Sequence, residues 1–365
     1  QILSWSDTEI RVTVPAGVPQ CAVQQQDQYT SPGTTIARCG ELLITSAAGK
    51  QSIDTVTITV GGKVPTLLTA GQTIQSAIDA AAPGDMIIVP PGTYKELLLM
   101  WKPVRLQGVG AVSTVINGDT QPAGVIDPWR HQVSCLFGMA LNGQPFTGNG
   151  PNGGTNPYDP ADGGLTCPGT GWNYFSSTPN VPQVDRIPFE GILGWDTTVN
   201  GNLAEMLQEP TLMGSYEGAG ITVLAKGVRV PAGTDWFGVG AEAAYPAGTT
   251  LLTAADCGRG RPGGPGFTAN PFPSNFQCNP SRIDGFLITN SSQGGGGILV
   301  HGWGHNIEIS NNRVRNNSGT LSGGIEIGQG EFGDGYFKGD ANSPAPGSCE
   351  SGGPNGTQLP YCFNT

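Results

Sequence analysis

The sequence predicts an all-β fold in which short strands wind in successive layers, and three observations support this prediction. Glycine and proline are abundant, at 58 and 30 of 365 residues, and charged residues make up only 12% of the chain. This composition is typical of proteins rich in turns and poor in helix. Short apolar segments alternate with turns through residues 86–116, and two segments beginning near residues 282 and 307 resemble each other.

The charge balance argues against one large class of partners. The formal net charge is −11, with 17 lysines and arginines against 28 aspartates and glutamates. A protein that holds a phosphate backbone needs a basic surface, so nucleic acid is excluded as a partner. The same shortage of cations weighs against a polyanionic glycan, although a local basic groove is compatible with it. No segment has the unbroken apolar length of a transmembrane helix.

Eight cysteines fall into four neighbouring couples along the chain. Sequence alone leaves 105 connectivities open, and we predict local pairing because each couple lies within one segment. An even number of cysteines in an acidic, glycine-rich chain indicates an oxidising compartment, outside the cell or on its surface. Free buried thiols in a cytosolic protein are the alternative. The couples are Cys21 with Cys39, Cys135 with Cys167, Cys257 with Cys278, and Cys349 with Cys362.

The first 61 residues contain alternating apolar and polar segments that predict strands at 2–5, 9–15, 41–49 and 54–60. Three segments resemble the second half of an IPT/TIG immunoglobulin-like domain: ILSWSDTEIRVTVPAG, ELLITSAAGKQS and a closing TITVGG. The resemblance implies a partial β-sandwich at residues 1–61 whose opening strands lie elsewhere. An open sandwich edge attracts other strands, so we expect it to pair with another chain or with a further part of a longer polypeptide.

Residues 62–365 form the second predicted domain. Thr73 is a candidate N-cap for a short helix over 73–82, which Pro83-Gly84-Asp85 ends. Short apolar strands then follow at 86–89, 97–100, 104–107 and 113–116. The series of helix, PGD and IIVPPGTYKE resembles the N-terminal cap and first coil of the pectin-lyase-like superfold. The resemblance implies a right-handed parallel β-helix with an N-terminal capping helix and long loop insertions.

An internal repeat supports the winding of the chain independently of that resemblance. Aligning residues 282–302 with 307–329 places Ile283 over Ile309 and Ile288 over Val314, and a glycine pair before Ile298 over the pair before Ile325. A spacing of about 20 to 30 residues with stacked apolar side chains is what successive layers require. The alignment of Asn290 with Asn316 predicts an amide ladder at a corner.

Two segments interrupt this pattern and are predicted to be long loop insertions, at about 119–210 and 228–280. Long loops without a core of their own are often functional. Trp172, Tyr174 and Trp195 lie in the first insertion. They are candidates for stacking against a glycan, and a private core of the insertion is the alternative.

Several polar residues are candidates for binding. Glu326, Glu331, Asp334 and Asp340 are spaced along a glycine-rich segment and supply the oxygen ligands that Ca²⁺ prefers, whereas a solvated acidic loop is the alternative. The cations that a glycan carboxylate could meet are Lys95, Lys102, Arg105, Arg313 and Arg315, and a role in keeping the solenoid surface soluble is the alternative. His301 and His305 lie four residues apart, but the glycines beside them favour a surface loop over a zinc pair.

The resemblance to the superfold implies enzymes that act on acidic polysaccharides, but the catalytic patterns of its lyases and hydrolases are missing from this sequence. We therefore predict a non-catalytic surface, adhesin or assembly protein that binds other copies or other surface proteins. The incomplete sandwich and an uncovered C-terminal coil are the predicted contact regions. A carbohydrate-active enzyme on a uronate-containing glycan is the alternative, which depends on fold analogy alone.

Overall fold

The computed structural model describes residues 1–22, 25, 36–122, 124–126, 128–129, 132–133, 136, 184, 218–229, 250–258, 264–291, 296–301, 303–319 and 323–328. The described chain is mostly β and contains one α-helix. The first strands are β1 (Ile2–Trp5), β2 (Ile10–Val12), β3 (Arg38–Glu41), β4 (Thr57–Val60) and β5 (Thr66–Leu67), and the helix is α1 (Ile74–Ala80). The next five strands are β6 (Met86–Ile88), β7 (Gly92–Tyr94), β8 (Leu98–Met100), β9 (Arg105–Gln107) and β10 (Thr114–Asn117). They are followed by β11 (Ile221–Leu224), β12 (Val228–Arg229), β13 (Thr250–Leu251), β14 (Ser281–Asp284), β15 (Leu287–Thr289), β16 (Ile298–His301), β17 (Ile307–Ser310), β18 (Arg313–Val314) and β19 (Ile325–Gly328).

Thirteen of these strands form three short parallel sheets. The strand orders are β17-β14-β9-β6-β5, β18-β15-β10-β7 and β19-β16-β11-β8. Strands that follow one another closely in sequence, such as β6, β7 and β8, belong to different sheets, and the corners between them hold only a few residues. The buried core lies between the sheets and is built from inward aliphatic side chains, among them Ile87, Leu98, Ile116 and Ile288.

The register predicted from the internal repeat is confirmed. Ile283 pairs with Ile309 between β14 and β17, Ile288 pairs with Val314 between β15 and β18, and Ile298 pairs with Ile325 between β16 and β19. Apolar side chains that stack in adjacent layers exclude water from each other. Equivalent positions in each layer therefore carry apolar residues, which appear as a repeat in the sequence.

The predicted fold class, an all-β right-handed parallel β-helix preceded by a partial immunoglobulin-like β-sandwich, is wrong as stated. In place of one coiled sheet, the hydrogen-bonded ladders stop at the corners and leave three separate sheets of four or five strands, with a helix against them. In place of a sandwich, the N-terminal residues form two separate two-stranded antiparallel sheets, β1-β2 and β3-β4. Of the predicted strand at 41–49, only Glu41 belongs to a strand, as the last residue of β3, and Leu42, Leu43 and Ile44 are exposed.

Helix α1 begins and packs as the sequence predicts. The Thr73 side chain accepts a hydrogen bond from the Ser76 amide at 3.1 Å, and Ile74, Ala77 and Ile78 are buried. The helix also covers the edge of β8 through one side chain. Gln75 Oε1 accepts from the Leu99 amide at 2.7 Å, and Gln75 Nε2 donates to the Leu99 carbonyl at 3.2 Å.

Asparagine side chains hold the corners between layers. Asn317 accepts from the Ser291 amide at 3.1 Å and donates to the Ile288 carbonyl at 3.0 Å, which ties its own corner to the corner of the neighbouring layer. The predicted ladder differs in its members. The Asn290 amide side chain donates to Asn117 Oδ1 at 3.2 Å, whereas Asn290 and Asn316 are joined through their backbones.

Candidate interaction surface

The ribbon β1-β2 carries apolar side chains that the described chain leaves uncovered. Ile2 pairs with Val12 and Trp5 pairs with Ile10, and each strand pairs only with the other among the described residues. Trp5 is 54% exposed and Leu3 is 63% exposed. We call this surface the apolar ribbon, and it consists of Ile2, Leu3, Trp5, Val12 and Val14, all of which are classed as exposed.

A two-stranded sheet that leaves its apolar side chains exposed, as the apolar ribbon does, is unusual. An isolated two-stranded ribbon is marginally stable in water, and it normally gains stability by burying one face. All four residues of β1 are exposed, so the ribbon obtains little from the described part of the chain. Exposed apolar side chains that are grouped together mark surfaces for protein contact.

The neighbouring ribbon β3-β4 is fastened firmly to the five-stranded parallel sheet. The Cys21–Cys39 disulfide joins the segment after β2 to β3. The Thr57 amide donates to Asp284 Oδ1 at 3.2 Å, and Arg282 Nη2 donates to Thr59 Oγ1 at 3.0 Å. The parallel sheets therefore provide a rigid base for the N-terminal segment.

The fastening contains a buried charge pair. Arg282 and Asp284 are 1% and 0% exposed. Burial lowers the pKa of Arg282, and the negative charge of Asp284 opposes that shift. Asp284 also accepts hydrogen bonds from Asn311 and from the Ser310 hydroxyl, so its charge is surrounded by donors. A carboxylate without water needs such donors, because burial otherwise penalises its charged form.

The structure places the predicted cations in three different environments. Arg313 Nε lies 2.7 Å from Asp54 Oδ1, so this side chain helps to join the N-terminal segment to β18. Arg315 is exposed. Lys102 and Arg105 are each 3% exposed and bind backbone carbonyls, which corrects the expectation that they face a glycan.

Most of the predicted calcium and glycan ligands lie outside the described residues. These are Glu331, Asp334 and Asp340, and Trp172, Tyr174 and Trp195. Glu326 lies in β19 and is partly exposed. In the described part of the chain, no group of three or more histidine, cysteine or acidic side chains is placed to hold a metal ion.

The segment around His305 is a turn, as predicted, but it is buried, so the predicted surface position is wrong. Trp303 is 3% exposed and belongs to the core, and burial lowers the pKa of His305. The flanking glycines predict the turn but not its burial. In the structure Gly227, in the neighbouring layer, has no side chain and makes room for the Trp303 ring, which a Cβ there would approach to 1.9 Å.

Two of the four predicted disulfides are confirmed, Cys21–Cys39 and Cys257–Cys278. The couples Cys135 with Cys167 and Cys349 with Cys362 lie outside the described residues. Among the described helices, none has the length and apolar character to cross a membrane. The two disulfides are compatible with a protein outside the cytoplasm.

Comparisons of the chain with protein-family models, with curated proteins and with solved structures find no match. The resemblances to the IPT/TIG domain and to the pectin-lyase-like superfold therefore stay predictions, and so does the carbohydrate-active alternative.

Proposed function

We propose that this chain is a non-catalytic structural or assembly protein that acts outside the cytoplasm and associates through its apolar ribbon. The observation that carries the proposal is the exposure of β1 along its whole length, on a two-stranded sheet that holds four exposed apolar side chains, with Val14 just after it. Such a ribbon gains stability when a partner covers it.

A second copy of the same chain is the occupant that this surface favours. Its ribbon carries the same apolar side chains, so pairing two ribbons about a twofold axis buries both sets at once. The outer edges of β1 and β2 supply backbone donors and acceptors that a strand from the second copy can use. Glu9 and Arg11 form an ion pair at 3.0 Å on this ribbon, so the two copies need not bury an unpaired charge.

The proposal is tested by measuring the mass of the protein in solution over a wide range of concentration, with light scattering after size-exclusion chromatography. We expect a concentration-dependent dimer. The double variant Leu3→Ser/Trp5→Ser should be monomeric. Val112→Ser is the matched control, because Val112 is 68% exposed and lies between β9 and β10, outside the ribbon.

A monomer at every concentration, or a dimer that the double variant does not weaken, would contradict the proposal. A monomeric protein that binds a different extracellular protein through the same ribbon would retain the assembly role and reject self-association.

A further inference from the structure

A cavity of about 420 Å³ lies beside helix α1, in a part of the molecule that the apolar ribbon does not include. Its volume is within the range of pockets for small ligands. One group of lining residues is apolar and another carries hydroxyl, amide and charged groups. The lining consists of Thr73, Gln75, Ser76, Asp79, Lys95, Glu96, Leu97, Val125, Pro128, Trp129 and Gln132.

Asp79 lines this cavity, and three hydrogen bonds to one oxygen fix the orientation of its carboxyl group. Oδ1 accepts three hydrogen bonds, each of 2.9 Å, from Gln75 Nε2, Trp101 Nε1 and Gln132 Nε2. Those donors exhaust the lone pairs of Oδ1 and hold the carboxyl plane. Oδ2 receives no hydrogen bond from any described residue, so it is the oxygen available to a ligand.

The other charged groups of the lining are already engaged. Glu96 accepts from the Ile74 and Gln75 amides at 2.9 and 3.0 Å, which satisfies the start of α1. Lys95 Nζ lies 3.2 Å from Asp119 Oδ2 and also donates to the Gln121 carbonyl. Neither side chain is free to neutralise a charged ligand.

The charge around Asp79 favours a neutral ligand. Two carboxyl groups line the cavity, so an anionic ligand would meet repulsion. Lys102 Nζ donates to the Asp79 carbonyl at 2.7 Å, and its positive charge stabilises the Asp79 carboxylate. A cationic ligand would therefore compete with a cation that the fold already supplies.

Hydroxyl groups at the start of α1 add a donor and an acceptor. The Thr73 hydroxyl accepts from the Ser76 amide, and its own proton is free to donate to a ligand. The Ser76 hydroxyl donates to the Thr73 carbonyl at 2.8 Å, and its lone pairs are free to accept. Leu97 and Pro128 supply apolar surface in the same cavity.

We propose that this cavity binds a neutral sugar ring, whose hydroxyl groups donate to Asp79 Oδ2 and exchange hydrogen bonds with Thr73 and Ser76. A sugar ring has apolar C–H faces and a polar edge, and the lining offers apolar surface and polar groups together. The ligand is neither an anion nor a metal ion. The site is independent of the proposed assembly, because none of its residues belongs to the apolar ribbon.

The test is isothermal titration calorimetry of the whole protein with glucose, galactose, mannose and N-acetylglucosamine, and with glucuronate as an anionic comparison. Asp79→Asn retains an oxygen for the three N–H donors and replaces Oδ2 with an NH₂ group. Losing an acceptor that is charged weakens binding by about tenfold or more. Asp54→Asn is the control, because Asp54 pairs with Arg313 away from the cavity.

Ser76→Phe provides a second variant at an exposed helix position, and it fills the cavity without changing Asp79. We expect at least one neutral sugar to bind the wild type and the control, to bind Asp79→Asn weakly and to lose binding to Ser76→Phe. The proposal is overturned if no neutral sugar binds, if glucuronate binds more tightly than the neutral sugars, or if Ser76→Phe binds as well as the wild type. If Asp79→Asn does not fold, Ser76→Phe decides.

Discussion

Arg282 and Asp284 lie two residues apart on β14, with Arg282 Nε 3.9 Å from Asp284 Oδ2, and both side chains are enclosed between the parallel sheet and the N-terminal segment. The distance is too long for a hydrogen bond, and Arg282 Nε has no hydrogen-bond partner among the described residues. Arg282 donates instead to Thr59 and to Gln107. The pair thus stabilises the fold through its separate neighbours as well as through its mutual attraction.

We expect Arg282→Met to lower the free energy of unfolding by about 3–5 kcal/mol, because it leaves the Asp284 carboxylate buried without its cation. Chemical denaturation followed by circular dichroism measures this change. The double variant Arg282→Met/Asp284→Leu removes both charges and should lose less than Arg282→Met alone. Equal losses in the two variants would show that the charge of Asp284 does not need Arg282.

Two glycines in equivalent positions should respond differently to alanine. Gly297 and Gly324 each precede a paired isoleucine in adjacent layers. A Cβ on Gly297 would lie 2.3 Å from Val314 Cγ1, whereas a Cβ on Gly324 meets no described atom within 4 Å. Overpacking of this kind costs about 1–3 kcal/mol. We expect Gly297→Ala to lower the melting temperature and Gly324→Ala to leave it nearly unchanged, and a similar loss in both would contradict this assignment.

Lys102 should make stability depend on pH in the alkaline range. Burial lowers the pKa of Lys102 from its ordinary 10.5 to about 8, against the opposing charges of Asp79 and Asp85. Between these two values the unfolded chain binds more protons than the folded chain, so the free energy of unfolding rises with pH through this window. The gain is lost as the pH falls through about 8. Denaturation curves recorded from neutral to alkaline pH measure this slope.

Lys102→Met should remove that slope. It should also lower stability by about 1–3 kcal/mol at neutral pH, since the Asp79 and Ala81 carbonyls lose their donor. Lys50→Met is the control, because Lys50 is exposed. If the free energy of unfolding of Lys102→Met still rises with pH, another titrating group is responsible for the slope.

Asn317 should contribute more to stability than the residue before it. Asn317→Ala removes the acceptor for the Ser291 amide and the donor for the Ile288 carbonyl, and Ser291 is buried. An unsatisfied buried amide costs about 1–3 kcal/mol. Asn316 has a φ of 56°, which glycine adopts without strain, so Asn316→Gly is the matched control and should be nearly neutral. Thermal melts that rank the two variants in the opposite order would contradict this role of Asn317.

The sequence predicted the pairing of strands better than it predicted what covers them. The alternation in EIRVTV and TVTITV predicts a sandwich in which one face of each sheet is buried. Alternation shows which side chains share a face, but it carries no information on whether another element packs there. The structure leaves β1 exposed, whereas Thr57 in β4 is buried against β14. The sequence predicts an unpaired backbone edge of a sandwich, whereas the structure shows exposed apolar side chains on a separate ribbon.

The cavity beside α1 had no sequence signal at all. Gln75, Glu96 and Gln132 lie far apart along the chain and form no motif, and only the packing of α1 against β8 brings the first two together. The sequence predicts Lys102 only as a cation that a glycan carboxylate could meet, since most lysines are exposed. Its position below the last turn of the helix, where carbonyl oxygens lack partners, is a consequence of tertiary structure.

The amide of Gln75 makes the same pair of hydrogen bonds to Leu99 that a neighbouring strand would make. One residue of a short helix thus imitates a β-strand at the start of the sheet that contains β8. A foreign peptide cannot extend the sheet past Leu99 without first displacing this side chain. The edge of the sheet at β8 is consequently protected against strand addition, whereas the apolar ribbon is exposed.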